Sequence, residues 1–177
     1  MRRAFIPLAA SVLILALCGA IAAAADGFKQ YLDPHGRFFF DYPATMNAES
    51  TGADQVKISH PGATLRITVF VEKRPKKAVP DAQGLLEVFK NKLKEDVKDV
   101  SFLEEGKLKG LEGSQGYLIC FFKDARGIGL VQLIQYYVSE ERVLQLIISD
   151  RPQGFKNLEK VIRRIHGSLR IVSPNLK

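Results

Sequence analysis

Three runs of aliphatic and aromatic residues follow one another in the C-terminal half of this chain, at residues 116–123, 128–138 and 142–149. Each has the length of a strand. The breaks between them, Asp124-Ala125-Arg126-Gly127 and Ser139-Glu140-Glu141, are short and polar, so the pattern predicts an antiparallel meander. Strand side chains alternate between faces, which sends Tyr117, Ile119 and Phe121 one way and Leu118, Cys120 and Phe122 the other. Both faces are apolar and both need cover. Residues 37–42 repeat this two-sidedness, with Phe38 and Phe40 opposite Phe39. Residues 64–72 alternate more cleanly, Leu65, Ile67, Val69 and Val71 against Arg66, Thr68, Phe70 and Glu72, which predicts a strand nearer an edge with one face partly wet.

A helical period replaces the strand period twice. From an N-cap at Asp81 to about Val97, the residues Leu85, Leu86, Phe89, Leu93 and Val97 recur at spacings of three and four, with Glu87, Lys90, Lys94 and Lys98 on the other side. From Phe155 to about His166 the stripe is Phe155, Leu158, Val161, Ile162 and Ile165, and Gly167 is placed to end the helix as its C′ residue. Asp33-Pro34-His35-Gly36 and His60-Pro61-Gly62-Ala63 read as turns, residues 55–59 as a short strand, and residues 100–111 as a short strand or loose hairpin around Gly106. Strands, helix, strands, helix, with hairpin links between neighbouring strands, predict an α+β fold. Its mainly antiparallel sheet is sandwiched between helices, one helical layer on each face (α-β-α).

The N-terminus has a different character. Arg2 and Arg3 precede an apolar run and then Ala22-Ala23-Ala24-Ala25, the layout of a signal peptide cleaved near Ala25. Residues 26–177 then form a single domain, periplasmic or secreted, large enough to bury about 70% of the surface its unfolded chain exposes. A lipoprotein site at Cys18 is a second reading, weakened by the bulky Leu17 before it, and an uncleaved anchor is a third, opposed by the alanine tail. Loss of Cys18 leaves Cys120 alone, so packing has to supply the stability a disulfide would give. The net charge of +7 falls to about +5 without Arg2 and Arg3, a mild imbalance compatible with many partners.

Chemical motifs are sparse. His35, His60 and His166 form no H-x-x-x-H pair; the first two fall in predicted turns and the third at a helix end, where solvated or structural roles are the rule. His35 with Asp33 and Asp41 is the one nitrogen-and-carboxylate set to test for a metal. There is no G-x-S-x-G elbow, and Arg126-Gly127-Ile128-Gly129 reads as a hairpin and not a phosphate loop. Glu104-Glu105 and Glu140-Glu141 are sequence neighbours that splay apart on a strand. No catalytic residue, metal ligand or cofactor is assigned. What remains is basic: Lys73, Arg74, Lys76 and Lys77 in one stretch, and Lys156, Lys160, Arg163 and Arg164 on the last helix, together a candidate docking surface for an acidic protein or an anionic membrane leaflet. Nucleic acid is excluded as a partner by export. A candidate pocket between sheet and helix takes Phe89, Tyr117 and Phe121.

The opening of the exported part resembles the PsbP-like family. Tyr31, Asp33, Gly36, Phe38, Tyr42, Pro43 and Met46 follow the family's order of a tyrosine, a short turn, an aromatic strand and Tyr-Pro before a bulky residue, with Met46 where many members carry tryptophan. The resemblance implies an antiparallel sheet between helices and a non-enzymatic role bound to a larger partner. It transfers fold far better than function. The expected function is an exported, non-catalytic interaction module that docks onto an envelope or membrane protein complex. The alternative is a periplasmic carrier of a small hydrophobic or anionic ligand.

Overall fold

The structure is a computed structural model and describes residues 27–74, 81–108 and 113–172. Residues 1–26, which include Cys18, and the basic Lys76 and Lys77 lie outside those residues. The described chain forms two compact units, one of residues up to Thr45 together with those from Ser168 onward, the other Met46–Gly167.

In the first unit β1 (Phe28–Leu32) and β2 (Phe38–Pro43) pair antiparallel, and the short β10 (Arg170–Ile171) adds to the far edge of β2. The predicted turn closes them, with the Gly36 N–H donating to the Asp33 carbonyl at 2.8 Å. Tyr31, Phe38, Phe40 and Tyr42 stack in a ladder of rings with centroids 5.7–6.2 Å apart. Such contacts add to area burial, and Phe40 is fully buried. Asp33 is also buried, yet it is charge-satisfied: Arg37 donates to it through Nε at 2.8 Å and Nη2 at 2.9 Å, and the His35 and Arg37 N–H groups donate as well. Burial alone would raise its carboxyl; the Arg37 guanidinium and the backbone donors outweigh that and hold it below the usual range. Asp33 is thus spent on Arg37, and among the described residues no group of three His, Cys, Asp or Glu side chains gathers where a metal would sit.

The second unit is a seven-stranded antiparallel sheet in the order β3-β4-β5-β9-β8-β7-β6. Its strands are β3 (Asn47–Ser50), β4 (Gln55–Ser59), β5 (Arg66–Lys73), β6 (Ser101–Leu108), β7 (Ser114–Lys123), β8 (Gly129–Val138) and β9 (Arg142–Asp150). The predicted meander is β7-β8-β9, paired antiparallel. β5 buries Ile67, Val69 and Val71 and exposes Arg66 and Glu72, as its alternation requires, but it lies third from the edge. Residues 101–108 form one strand, bulged between Phe102 and Glu104, and not a hairpin.

Helix α1 (Ala82–Asp96) starts where the sequence places it: the Asp81 side chain accepts from the Gly84 N–H at 2.8 Å. It lies on β7 and β8, where Leu86 meets Leu118, Cys120 and Ile134, with Phe89 and Leu93 packed around them. The second predicted helix is broken. Pro152 starts α2 (Pro152–Asn157), Leu158 is a turn, and α3 (Glu159–Ser168) follows, so Gly167 is inside α3 and does not cap it. These two helices stand over the opposite face of the sheet, against Ile119, Val131 and Leu133. A helix therefore covers each face. Over β5 and β9, on the α1 side, Thr68, Phe70, Gln145 and Ile147 stay half-buried, so full cover of both faces does not extend across the whole sheet.

Candidate functional site

The chemistry-bearing side chains gather where α3 crosses β6–β8. Gly106 of β6 is opposite Tyr117 of β7, and a Cβ on Gly106 would meet the Tyr117 ring at 2.6 Å. The ring lies across the space that glycine leaves. Its hydroxyl then reaches Glu104, two residues along β6 on the same face, and donates to Oε1 at 2.7 Å. From above, α3 contributes Arg163, whose Nε donates to Glu159 Oε1 at 2.9 Å and whose Nη2 is 3.5 Å from Glu104 Oε2. One turn further on, His166 meets the Tyr117 ring edge-on at 4.9 Å and places Nδ1 2.8 Å from Gln135 Oε1, which makes Nδ1–H the donor.

Glu159, Arg163, Glu104, Tyr117, His166 and Gln135 thus form one polar chain in contact, and their protonation follows from it. The Tyr117 hydrogen bond, with Arg163 behind it, holds the Glu104 carboxyl below its ordinary value against the effect of partial burial. The same bond raises the Tyr117 hydroxyl. Burial, then the Arg163 charge, lower the His166 pKa, and Glu104 opposes them. The result at neutral pH is a carboxylate, a phenol and a neutral imidazole, each with a partner. The Tyr117 hydroxyl is held protonated by its bond to the Glu104 carboxylate. Cys120, the other reactive type, is buried under α1 with its thiol pushed up to about 11 by desolvation.

Beside this chain a groove of about 300 Å³ opens between the helices and the sheet, floored by Ile119, Val131 and Leu133 and walled by Leu103, Pro152, Phe155 and Ile162. Glu104, Lys156, Glu159 and Arg163 line its rim.

The residues nominated from the sequence are distributed differently. Lys73 pairs with Arg142 at the start of β9, and Arg74 beside it donates to the Ser139 carbonyl at 2.9 Å. Lys156, Lys160, Arg163 and Arg164 belong to α2 and α3, which follow the other end of β9. A nine-residue strand runs about 30 Å, so Lys73 and Arg74 do not share one patch with the cations of α2. The three pocket residues also separate: Phe89 packs under α1 against Leu118 and Cys120, whereas Tyr117 and Phe121 face the side of α3. The groove is on the side of α2 and α3, and none of the three lines it. His166, assigned from the sequence to a helix end, does lie in the last turn of α3, and it is buried there at 9% exposure. Its spacing of four from Ile162 carried that signal, since it puts both on one helix face.

A mainly antiparallel sheet with helices on both faces defines an α+β fold of the PsbP/Mog1 type. Among solved structures, cyanobacterial PsbP (CyanoP) from Synechocystis matches with a TM-score of 0.66 at 10% identity, over 82% of this chain and 93% of that one. LpqN, involved in cell envelope biogenesis of Mycobacterium tuberculosis, matches at 0.60 and 15% identity over 87% and 96%. The Saccharomyces cerevisiae Ran-binding protein Mog1p matches at 0.59 and 10% identity over 82% and 96%. No family model matches the chain, and no curated protein matches it in sequence. Identities this low establish the shared fold alone.

Proposed function

We propose that this chain is a non-catalytic interaction module, exported as residues 26–177 after cleavage near Ala25, which docks onto a protein complex of the cell envelope. The observation that carries this reading is the outer face of α2 and α3, where Lys156, Lys160, Arg163 and Arg164 are all exposed beside an apolar groove. A cationic surface next to exposed apolar area, including Leu103 at 58% exposure, suits a partner with an acidic rim around an apolar anchor. Binding to another protein is what the name of the yeast neighbour states for that protein, and envelope biogenesis is what the mycobacterial one states for LpqN.

The test is capture of partners from envelope extract by the tagged exported chain at low and high salt. Docking through this face predicts a defined partner whose capture weakens steeply as salt rises. Capture of nothing at either salt concentration contradicts it. A second reading, a carrier of a small hydrophobic or anionic ligand, is favoured by the groove itself, whose volume is at the lower end for ligand sites. Native mass spectrometry of the purified chain tests that one.

A further inference from the structure

We propose that the groove beneath α2 and α3 binds a single-chain amphiphile with an anionic head, a medium-chain carboxylate such as octanoate, with the head on Lys156. The proposal rests on the carrier reading. Three features point to it. The floor and walls are apolar, and Ile119, Val131 and Leu133 are buried sheet residues that cannot move aside, so the body of the ligand is hydrocarbon. About 300 Å³ corresponds to roughly ten non-hydrogen atoms at the ~30 Å³ that each water occupies in the liquid. That fits an eight-carbon acid.

The head follows from charge. Of the four ionised groups on the rim, Glu104 and Glu159 are both engaged by Arg163, and Glu104 is engaged by Tyr117 as well. Lys156 alone among them has a side chain with no hydrogen bond or ion pair to a described residue. Its charge is the one left for a ligand. It follows Phe155 and lies in the last turn of α2.

The experiment is titration of the exported chain with monomeric hexanoate, octanoate, decanoate and octanol, followed by calorimetry and by methyl NMR. The proposal predicts affinity rising about four-fold per methylene, the gain expected for burying hydrocarbon, until the groove is full near octanoate. Shifts should concentrate on Leu103, Ile119, Val131, Leu133 and Ile162. Octanol should bind about three-fold more weakly than octanoate, and Lys156→Gln should remove that difference, as expected for one exposed ion pair. Leu103→Glu, at an exposed position where folding is not at risk, should abolish octanoate binding. Octanoate binding that survives Leu103→Glu unchanged, or no binding of any member of the series, overturns the proposal. Octanol binding in the groove as tightly as octanoate overturns the anionic head while leaving a carrier of neutral ligands standing.

Discussion

Gly106 and Tyr117 face each other across β6 and β7, and the glycine's missing side chain is what lets the tyrosine ring lie flat enough to reach Glu104. The prediction concerns both partners. Gly106→Val should displace the ring and cost about 1–3 kcal/mol as overpacking, whereas Tyr117→Phe keeps the ring and loses only the hydrogen bond, about 0.5–1.5 kcal/mol. Urea denaturation checks this. In the double variant the two costs should be less than additive, because the displaced ring has already lost Glu104.

His166 makes stability depend on pH. Burial, then Arg163, place its folded-state pKa below the ordinary 6.5, only partly opposed by Glu104. The unfolded chain therefore binds the proton first as pH falls, and stability is lost on going below about pH 6.5, with a slope of at most about 1.4 kcal/mol per pH unit for one proton. His166→Gln cannot take up that proton. Its stability profile between pH 7 and pH 5 should be flatter than that of the natural chain, and parallel profiles would contradict the account of the buried imidazole.

Gly154 is required by a buried carboxylate. A Cβ there would come 2.4 Å from Asp150 Oδ2, and Asp150 is held by the Thr64 hydroxyl and by the Arg151 N–H at 2.7 Å. Helix propensity alone would make Gly154→Ala stabilising. The structure predicts the reverse, a loss of about 1–3 kcal/mol, read as a lower melting temperature; a gain would show that the entry to α2 can shift freely.

Under α1 the largest single loss should fall on Leu86, which is 2% exposed and meets Leu118, Cys120 and Ile134. Leu86→Ala should cost about 2–5 kcal/mol. Phe89 is only partly buried, so its truncation should cost less despite its size. A larger loss for Phe89→Ala in the same melts would mean that α1 is rotated on the sheet.

Much of the fold was legible because it is written in short-range periodicity. The alternation in β7, β8 and β9, the polar breaks between them, and Asp81 before an apolar stripe each determine local structure with no help from distant residues. The candidate site was less legible, for a physical reason. Alternation says that Tyr117 and Leu118 face opposite ways, but not which helix covers which side, so Phe89 and Tyr117 were grouped although the sheet separates them. The break at Leu158 is concealed by the apolar stripe that runs through it. The network at Glu104, Tyr117 and His166 joins residues as far as 62 positions apart; only the β6–β7 register and the passage of α3 over it bring them together. The basic residues were visible as charges, but the separation of Lys73 and Arg74 from the cations of α2 was not.

The docking face is tested most directly by placing a photo-crosslinking residue at Lys160 on α3 and, separately, at Lys73 at the far end of β5, and irradiating each in intact cells. The account predicts a protein adduct of defined mass from position 160 and little or none from position 73. Adducts from position 73 with none from 160 would contradict it.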